Sequence, residues 1–299
     1  MGTPEFAAVS LKALIDAGYD ITAVVTQPDK PVGRRQVMVP SAVKVVATEN
    51  GLPVFQPDTL KGGAIEHLLT GLDVIAVVAY GKILPKYVLG APRLGCINVH
   101  GSLLPKLRGA APIQRSILNG DKLAGVTTMY MAAGMDTGDM ILSKAVEIGE
   151  YETSEGLYSR LASIGAALLV DTLKLVKEGT APRTAQDDTL ATLAPPIEKE
   201  EATLDFTRSA AALSKQICAF NPWPIAQTTL FDKRLKVYAA VKGGSTTLEA
   251  GTANGTADGI AVACGDGQLL ILTDVQIEGG NRMEAKVFLN GRPVRGINL

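Results

Sequence analysis

Two periodicities alternate along the first 180 residues. Asp73–Ala79 (DVIAVVA) is apolar at every position after the first, whereas Phe6, Val9, Ala13 and Leu14 recur at helical spacing. Thr3-Pro4-Glu5 predicts a helix start, with Thr3 as the cap, Pro4 at the first helical position and Glu5 facing the positive end of the dipole. Gly18 marks its end. A short β-branched strand follows at Ile21–Val25, then a helix at Pro40–Asn50, the strand Asp73–Ala79, a strand at Gly95–His100 and a helix at Ala111–Leu118. A longer helix over Ser154–Lys177 carries Leu157, Leu161, Ile164, Leu168, Leu173 and Val176 on one stripe. Strands apolar on both faces must be covered on both faces. Residues 1–180 are therefore expected to form an α/β, doubly wound, mostly parallel sheet of Rossmann-like type.

The pattern then changes. Residues 179–201 are polar and carry Pro182, Pro195 and Pro196, so 181–201 reads as a linker. After a helix at Ser209–Phe220 come short Val/Thr/Ile-rich segments at Gln227–Phe231, Leu235–Val241, Gly259–Ala263 and Gln268–Gln276, separated by glycine-containing turns. Strands at this spacing predict a small OB-like β-barrel over 202–299. Trp223, between two prolines, is expected to wedge the preceding helix against that barrel.

Composition narrows the function more than the fold. A net charge of -1 excludes a globally basic nucleic-acid binder but not a local patch. Residues 1–201 hold 19 Lys/Arg against 22 Asp/Glu, whereas 202–299 hold 10 against 8, a mild bias toward an anionic partner at the C-terminal end. Cys96, Cys218 and Cys264 are far apart with no metal-ligand spacing, and read as buried reduced thiols. No run approaches the roughly 20 apolar residues of a membrane span, and the N-terminus lacks a signal-peptide layout, so a cytoplasmic protein is expected.

The candidate chemistry lies at the end of the strand Gly95–His100. Side chains alternate along a strand, so Asn98 and His100 share a face, at the carboxyl end where open α/β sheets place ligands. Acyl transfer to an amine needs stabilisation of an oxyanion, a route for protons, and a carboxylate to orient an imidazole. Asn98 and His100 can donate, and Asp136, in the loop Gly134-Met135-Asp136-Thr137-Gly138-Asp139, supplies the carboxylate. The plain alternatives are a turn asparagine and a core histidine. His67, the other histidine, sits in the helical run Ala64–Leu69 and reads as structural.

Asn98-Val99-His100-Gly101-Ser102-Leu103-Leu104-Pro105 followed by Arg108-Gly109-Ala110-Ala111-Pro112-Ile113 resembles the signature of the folate-dependent formyltransferases. The likeness spans essentially the whole chain. It takes in Gly2–Ala7, Thr26–Asp29, Val78–Gly81, Ile83–Pro85, Gly134–Gly138 and Phe220–Pro224, the last marking members that act on a charged tRNA. The resemblance implies 10-formyltetrahydrofolate as donor and methionyl initiator tRNA as acceptor. It also implies Asn98, His100 and Asp136 as catalytic residues, Ser102, Leu103, Leu104 and Pro105 at the folate, and no metal. Residues 27–40 carry Lys30, Arg34 and Arg35, a basic loop suited to an RNA end, and Arg34 falls where the family's loop arginine falls. Lys233, Arg234 and Lys236 of the barrel are further candidates for phosphate contact, as is Lys242. A sugar-nucleotide acceptor is the nearest rival and would not call for that loop; an RNA-binding module with an idle pocket would leave the trio unexplained. The chain departs from the family at Pro196, where a lysine is usual. It also begins inside the first loop, so a native start about ten residues earlier is expected, the length of a strand plus a short lead.

Overall fold

A computed structural model describes residues 1–33 and 36–299. In chain order the first elements are α1 (Glu5–Asp16), β1 (Val24–Val25), β2 (Lys30–Val32), β3 (Val37–Val39), α2 (Ala42–Glu49) and β4 (Val54–Phe55). Next come β5 (Ile75–Val78), α3 (Lys86–Leu89), β6 (Cys96–His100), β7 (Arg108–Gly109) and α4 (Pro112–Leu118). The middle of the chain forms β8 (Leu123–Tyr130), β9 (Met140–Glu147), α5 (Ser154–Glu178) and β10 (Leu193–Ala194). The remainder is α6 (Ala210–Ala219), β11 (Ala226–Leu230), β12 (Lys233–Ser245), β13 (Thr252–Gly255), β14 (Ile260–Ala263), β15 (Gln268–Ile277), β16 (Met283–Glu284), α7 (Ala285–Gly291) and β17 (Arg295–Asn298).

Contacts divide the chain into two compact units. One holds residues 1–109, 124–146 and 158–194; the other holds 110–123, 147–157 and 195–299. In the first, β1 pairs with β4 and β5 with β6, both in parallel, while β8 runs antiparallel to β6 and continues to β9. The sheet is therefore mixed around a parallel core. The strands β8 and β9 escaped the sequence reading because β8 buries Thr127 and Thr128 completely, polar residues that mask a core strand. Thr128 spends its hydroxyl on Thr172 of α5 at 2.7 Å, which makes its burial tolerable.

The pieces β1–β4 and β5–β9 meet through two residues. Gly2 N donates to Val25 O (3.1 Å) and Val78 N donates to Met1 O (2.9 Å), so Met1-Gly2 lies between the carboxyl ends of β1 and β5. Below them is a cavity of about 580 Å3 lined by Leu11, Leu14, Val24, Ile75, Leu169 and Val176 among others.

Helix α5 covers one face of the sheet at close range. A Cβ at Gly165 would lie 3.0 Å from Val99 and 3.2 Å from Val126, so any larger residue needs these side chains to give way by a few tenths of an ångström. Phe6 of α1 packs edge-on against Tyr158 at 5.3 Å. The opposite face is buried by Leu60, Ile65, Leu69, Leu84 and Val88 against Ile75, Val77 and Cys96. Asn98 and His100 share the parity of Cys96 and point to this second face.

In the second unit the strands form one antiparallel sheet ordered β11-β12-β15-β14-β13-β17, with β16 on β15. Three register shifts between β12 and β15 curl it, since each bulge adds local twist. Leu213 and Ile217 of α6 pack into its concave core with Leu235, Val262, Leu272 and Phe288.

Several local expectations need correction. Thr3 does not cap α1: the N-cap is Pro4, and the Thr3 hydroxyl donates instead to Tyr80 O at 3.1 Å. The run at 64–69 forms only a 3-10 turn, Glu66–Leu68, following glycines in left-handed conformation at 62 and 63. Within the stretch read as a loop, Lys30–Val32 and Val37–Val39 pair as antiparallel strands, with Lys30 opposite Val39. Trp223 is 49% exposed and is no wedge, because the neighbouring Phe220, 1% exposed, fills the core position.

Candidate active site

The site is assembled from three segments of the first unit. Strand β6 delivers Asn98 and His100, the turn after it delivers residues 107–109, and the β8–β9 connection delivers Asp136. That connection closes tightly. A Cβ on Gly138 would lie 1.6 Å from Tyr130 O, so the hairpin can close only on a glycine. Asp136 itself has φ +53°, a left-handed state that costs a non-glycine residue roughly 1–2 kcal/mol and persists only when neighbours hold it.

His100 is 7% exposed and lies between two acceptors. Its Nε2 is 3.0 Å from Leu107 O, and its Nδ1 is 3.7 Å from Asp136 Oδ2. Only a ring carrying hydrogen on both nitrogens donates toward both groups. Asp136 Oδ2 also accepts from Gly109 N at 2.8 Å, which aims the carboxylate at the imidazole. Residues 107 and 109 thus touch both members of the pair, one through its carbonyl and the other through its amide.

Asn98 Nδ2 donates to Val77 O on the neighbouring strand at 3.2 Å, keeping one hydrogen in reserve. Its Oδ1 is buried and has no partner; with the Tyr80 hydroxyl it is one of two such side-chain atoms among the described residues. An unsatisfied buried acceptor costs about 1–3 kcal/mol, which marks Asn98 as a group waiting for a donor.

The Ser102-Leu103-Leu104-Pro105 turn is bound to β8. Thr127 Oγ1 donates to Ser102 O (2.8 Å) and accepts from Leu104 N (3.2 Å). The Ser102 hydroxyl donates to Lys106 O at 2.6 Å, so it is used within the turn; Leu103 and Pro105 are half-buried and Leu104 is buried. Two further residues belong to this neighbourhood: Arg108, which lies in the signature segment but has no role assigned there, and Gln186. Arg108, 7% exposed, donates through Nε and Nη2 to Gln186 Oε1 at 3.0 and 2.8 Å, and Gln186 Nε2 donates to Asp136 O and Gly138 O, both at 2.8 Å. Gln186 lies in the polar stretch that reads as a linker, where nothing in the composition points to a site.

The basic candidates are dispersed. Lys30 is exposed on β2, and Arg34 and Arg35 lie outside the described residues. Lys233 and Arg234 are exposed on β12, with Arg234 3.9 Å from Glu278, and Lys236 is half-buried on the same strand. Lys242 is engaged by Glu150 at 2.8 Å. His67 stacks edge-on against Phe55 at 6.0 Å. Among the described residues, no group of three or more His, Cys, Asp and Glu side chains is placed to hold a metal ion, and no helix is long and apolar enough to cross a membrane.

Residues 1–173 match the formyl transferase family and 196–293 match the formyl transferase C-terminal domain. The chain belongs to the formyl transferase family. It is 47% identical over 293 residues to a methionyl-tRNA formyltransferase of Pseudomonas putida (strain W619), covering 97% of this chain and 94% of the relative. A methionyl-tRNA formyltransferase of Pseudomonas entomophila (strain L48) is 46% identical over the same shares. Among solved structures the fold is similar to an N-formyltransferase from Helicobacter canadensis in complex with folinic acid and dTDP-3-aminofucose, with a TM-score of 0.69 at 19% identity over 91% of this chain and 96% of that one.

Proposed function

We infer that this chain transfers a formyl group from 10-formyltetrahydrofolate to the α-amino group of methionine esterified to initiator tRNA. The observation that supports the chemistry is the His100–Asp136 pair at the end of β6, on the face that also carries Asn98, whose Oδ1 has no partner among the described residues. The donor supplies an activated one-carbon acyl group. An α-amino group has a pKa near 8 or slightly below, so about a tenth or more of it is a free nucleophile at neutral pH and little activation is needed. The protein's task is then to orient the amine and meet the charge that develops on the formyl oxygen. Asn98 Oδ1 suits an amine N–H, the second Nδ2 hydrogen suits the oxygen, and the ring donor left for that oxygen is the His100 Nδ1–H, held only loosely at 3.7 Å from Asp136. Asp136 holds the ring and, through a water, accepts the proton the amine loses. As the new N–C bond forms, the bond from the formyl carbon to N10 breaks, and a proton returned to N10 lets tetrahydrofolate leave.

The folate is read at Ser102–Pro105, where backbone and apolar surface rather than the Ser102 hydroxyl would make the contacts. The tRNA is read at Lys30, Arg34 and Arg35 and at Lys233, Arg234 and Lys236, on a C-terminal sheet read as OB-like, a type that commonly binds RNA. The work is that of translation initiation in the cytoplasm. The identity to tRNA-directed relatives across 97% of the chain favours this acceptor over a sugar nucleotide. The test is formyl transfer from the folate donor to charged initiator tRNA. His100→Ala is expected to lower kcat by about 100-fold or more, the scale of a lost oxyanion donor. Full activity in that variant, or no transfer by the unaltered enzyme, would sink the assignment.

A further inference from the structure

We propose that Gln186 is a positioning residue for formyl transfer, a clip that holds the Asp136 loop in its reactive geometry. The inference rests on the reading of Asp136 as catalytic.

Asp136 occupies a backbone state that it would not choose, and two attachments keep it there. Its side chain is fixed by Gly109 N at 2.8 Å. Its backbone is fixed by Gln186, whose Nε2 carries two hydrogens and gives one to Asp136 O and one to Gly138 O. These carbonyls flank the Thr137 turn, so a single amide spans it.

The amide is itself held rigidly. Its Oε1 takes both the Nε and the Nη2 hydrogens of Arg108, a bidentate contact that fixes which end of the amide faces the loop. Arg108 is buried, and its Nη2 also reaches Asp188 at 2.7 Å. The strap carrying Gln186 is anchored in turn. Arg108-Gly109 pairs in parallel with Leu193-Ala194, and Leu107 N donates to Thr192 Oγ1 at 2.9 Å. Three consecutive residues therefore govern both catalytic partners: Leu107 through its carbonyl on His100, Arg108 through Gln186, and Gly109 through its amide on Asp136.

Only an amide meets all these demands. It offers two donors to the loop and an acceptor to Arg108 without adding charge beside the His100–Asp136 pair. A carboxylate at 186 would keep Arg108 but set an oxygen against two carbonyls; a methionine would keep the volume and lose every hydrogen bond. Because displacement of a reacting group by about 1 Å can cost on the order of 100-fold in rate, the loss should appear in the chemical step.

The experiment compares steady-state transfer by Gln186→Glu, Gln186→Met and Asp136→Ala enzymes, each normalised to folded protein by thermal melting. The expected result is a fall in kcat of about 10- to 100-fold in both Gln186 variants, with KM for folate donor and for charged tRNA within about threefold of the unaltered enzyme. A kcat per folded molecule equal to that of the unaltered enzyme in both Gln186 variants, whatever their melting temperatures, overturns the clip. If Asp136→Ala loses activity in that same experiment, the catalytic trio stands and only the clip falls. If Asp136→Ala transfers at the full rate, the trio reading itself fails.

Discussion

At the scale of single residues, what counts is which polar groups are left without a partner and which are over-provided. His100 and Asp136 are almost fully engaged by 107–109, whereas Asn98 Oδ1 is stranded. That asymmetry separates groups held in place from one left open, as the function proposed for Asn98 requires. The cysteines are the opposite case. Burial pushes the Cys96 and Cys264 thiols up to about 11 and raises Cys218 as well. All three are buried, so none presents a thiolate at neutral pH. A chromogenic disulfide at pH 8 should therefore find fewer than about one reactive thiol in the native protein, with all three cysteines reacting after denaturation. Rapid reaction of Cys96 in the native state would contradict this account of its environment.

At the scale of elements, the β8–β9 hairpin matters more than either strand. Its connection must bring Asp136 back over the end of β6, and Gly138 lets it close against Tyr130 O. Gly138→Ala should therefore lower stability by about 2 kcal/mol or more in urea unfolding, because backbone rather than a flexible side chain blocks the added methyl. Transfer should fall along with it, since Asp136 moves with the hairpin. A variant as stable and as active as the unaltered protein would mean that the loop has another way to close. The paired strands β2 and β3 pose a different problem, with Val37, Met38 and Val39 all more than 40% exposed and Val39 opposite Lys30. In the reading proposed for tRNA these side chains accompany the charges to the nucleic acid.

At the scale of the whole molecule, neither unit is a continuous stretch of chain. Residues 110–123 join the C-terminal unit, and Arg115 is one reason. Its guanidinium forms a two-pronged contact with Glu201 at 2.6 and 2.9 Å and donates to Pro195 O and Pro196 O. Pro196 thus contributes a carbonyl here. Arg115 holds the Glu201 carboxyl below its ordinary value of 4.5. A carboxyl depressed in the folded state adds stability that is present above the unfolded value and lost as the pH falls through the folded one. Glu201→Gln should accordingly lower stability by about 1–2 kcal/mol at pH 7, with the difference from the unaltered protein shrinking below about pH 4.5. Chemical denaturation at several pH values reads this directly, and a difference that persists undiminished into acid would exclude the ion pair as its source.

How much was legible in advance follows the range of the interactions involved. Local patterning marked the α/β alternation, the long helix α5 and the run of short C-terminal strands, because period and turn chemistry act over a few residues. The strand alternation that puts Asn98 and His100 on one face is likewise local. The buried threonines of β8 read as polar and Thr3 as a cap because the partners of Thr128 and Thr3 lie far along the chain, and Trp223 reads as core because packing alone decides that Phe220 is buried in its place. Only the tertiary structure decided that Asp136 meets His100, that Gln186 reaches the same loop from a stretch resembling a linker, and that residues 107–109 join them. Those contacts span from 7 to 78 positions of sequence. Hydrogen bonds over such separations leave no periodic trace, because any polar residue can make them once packing brings it there.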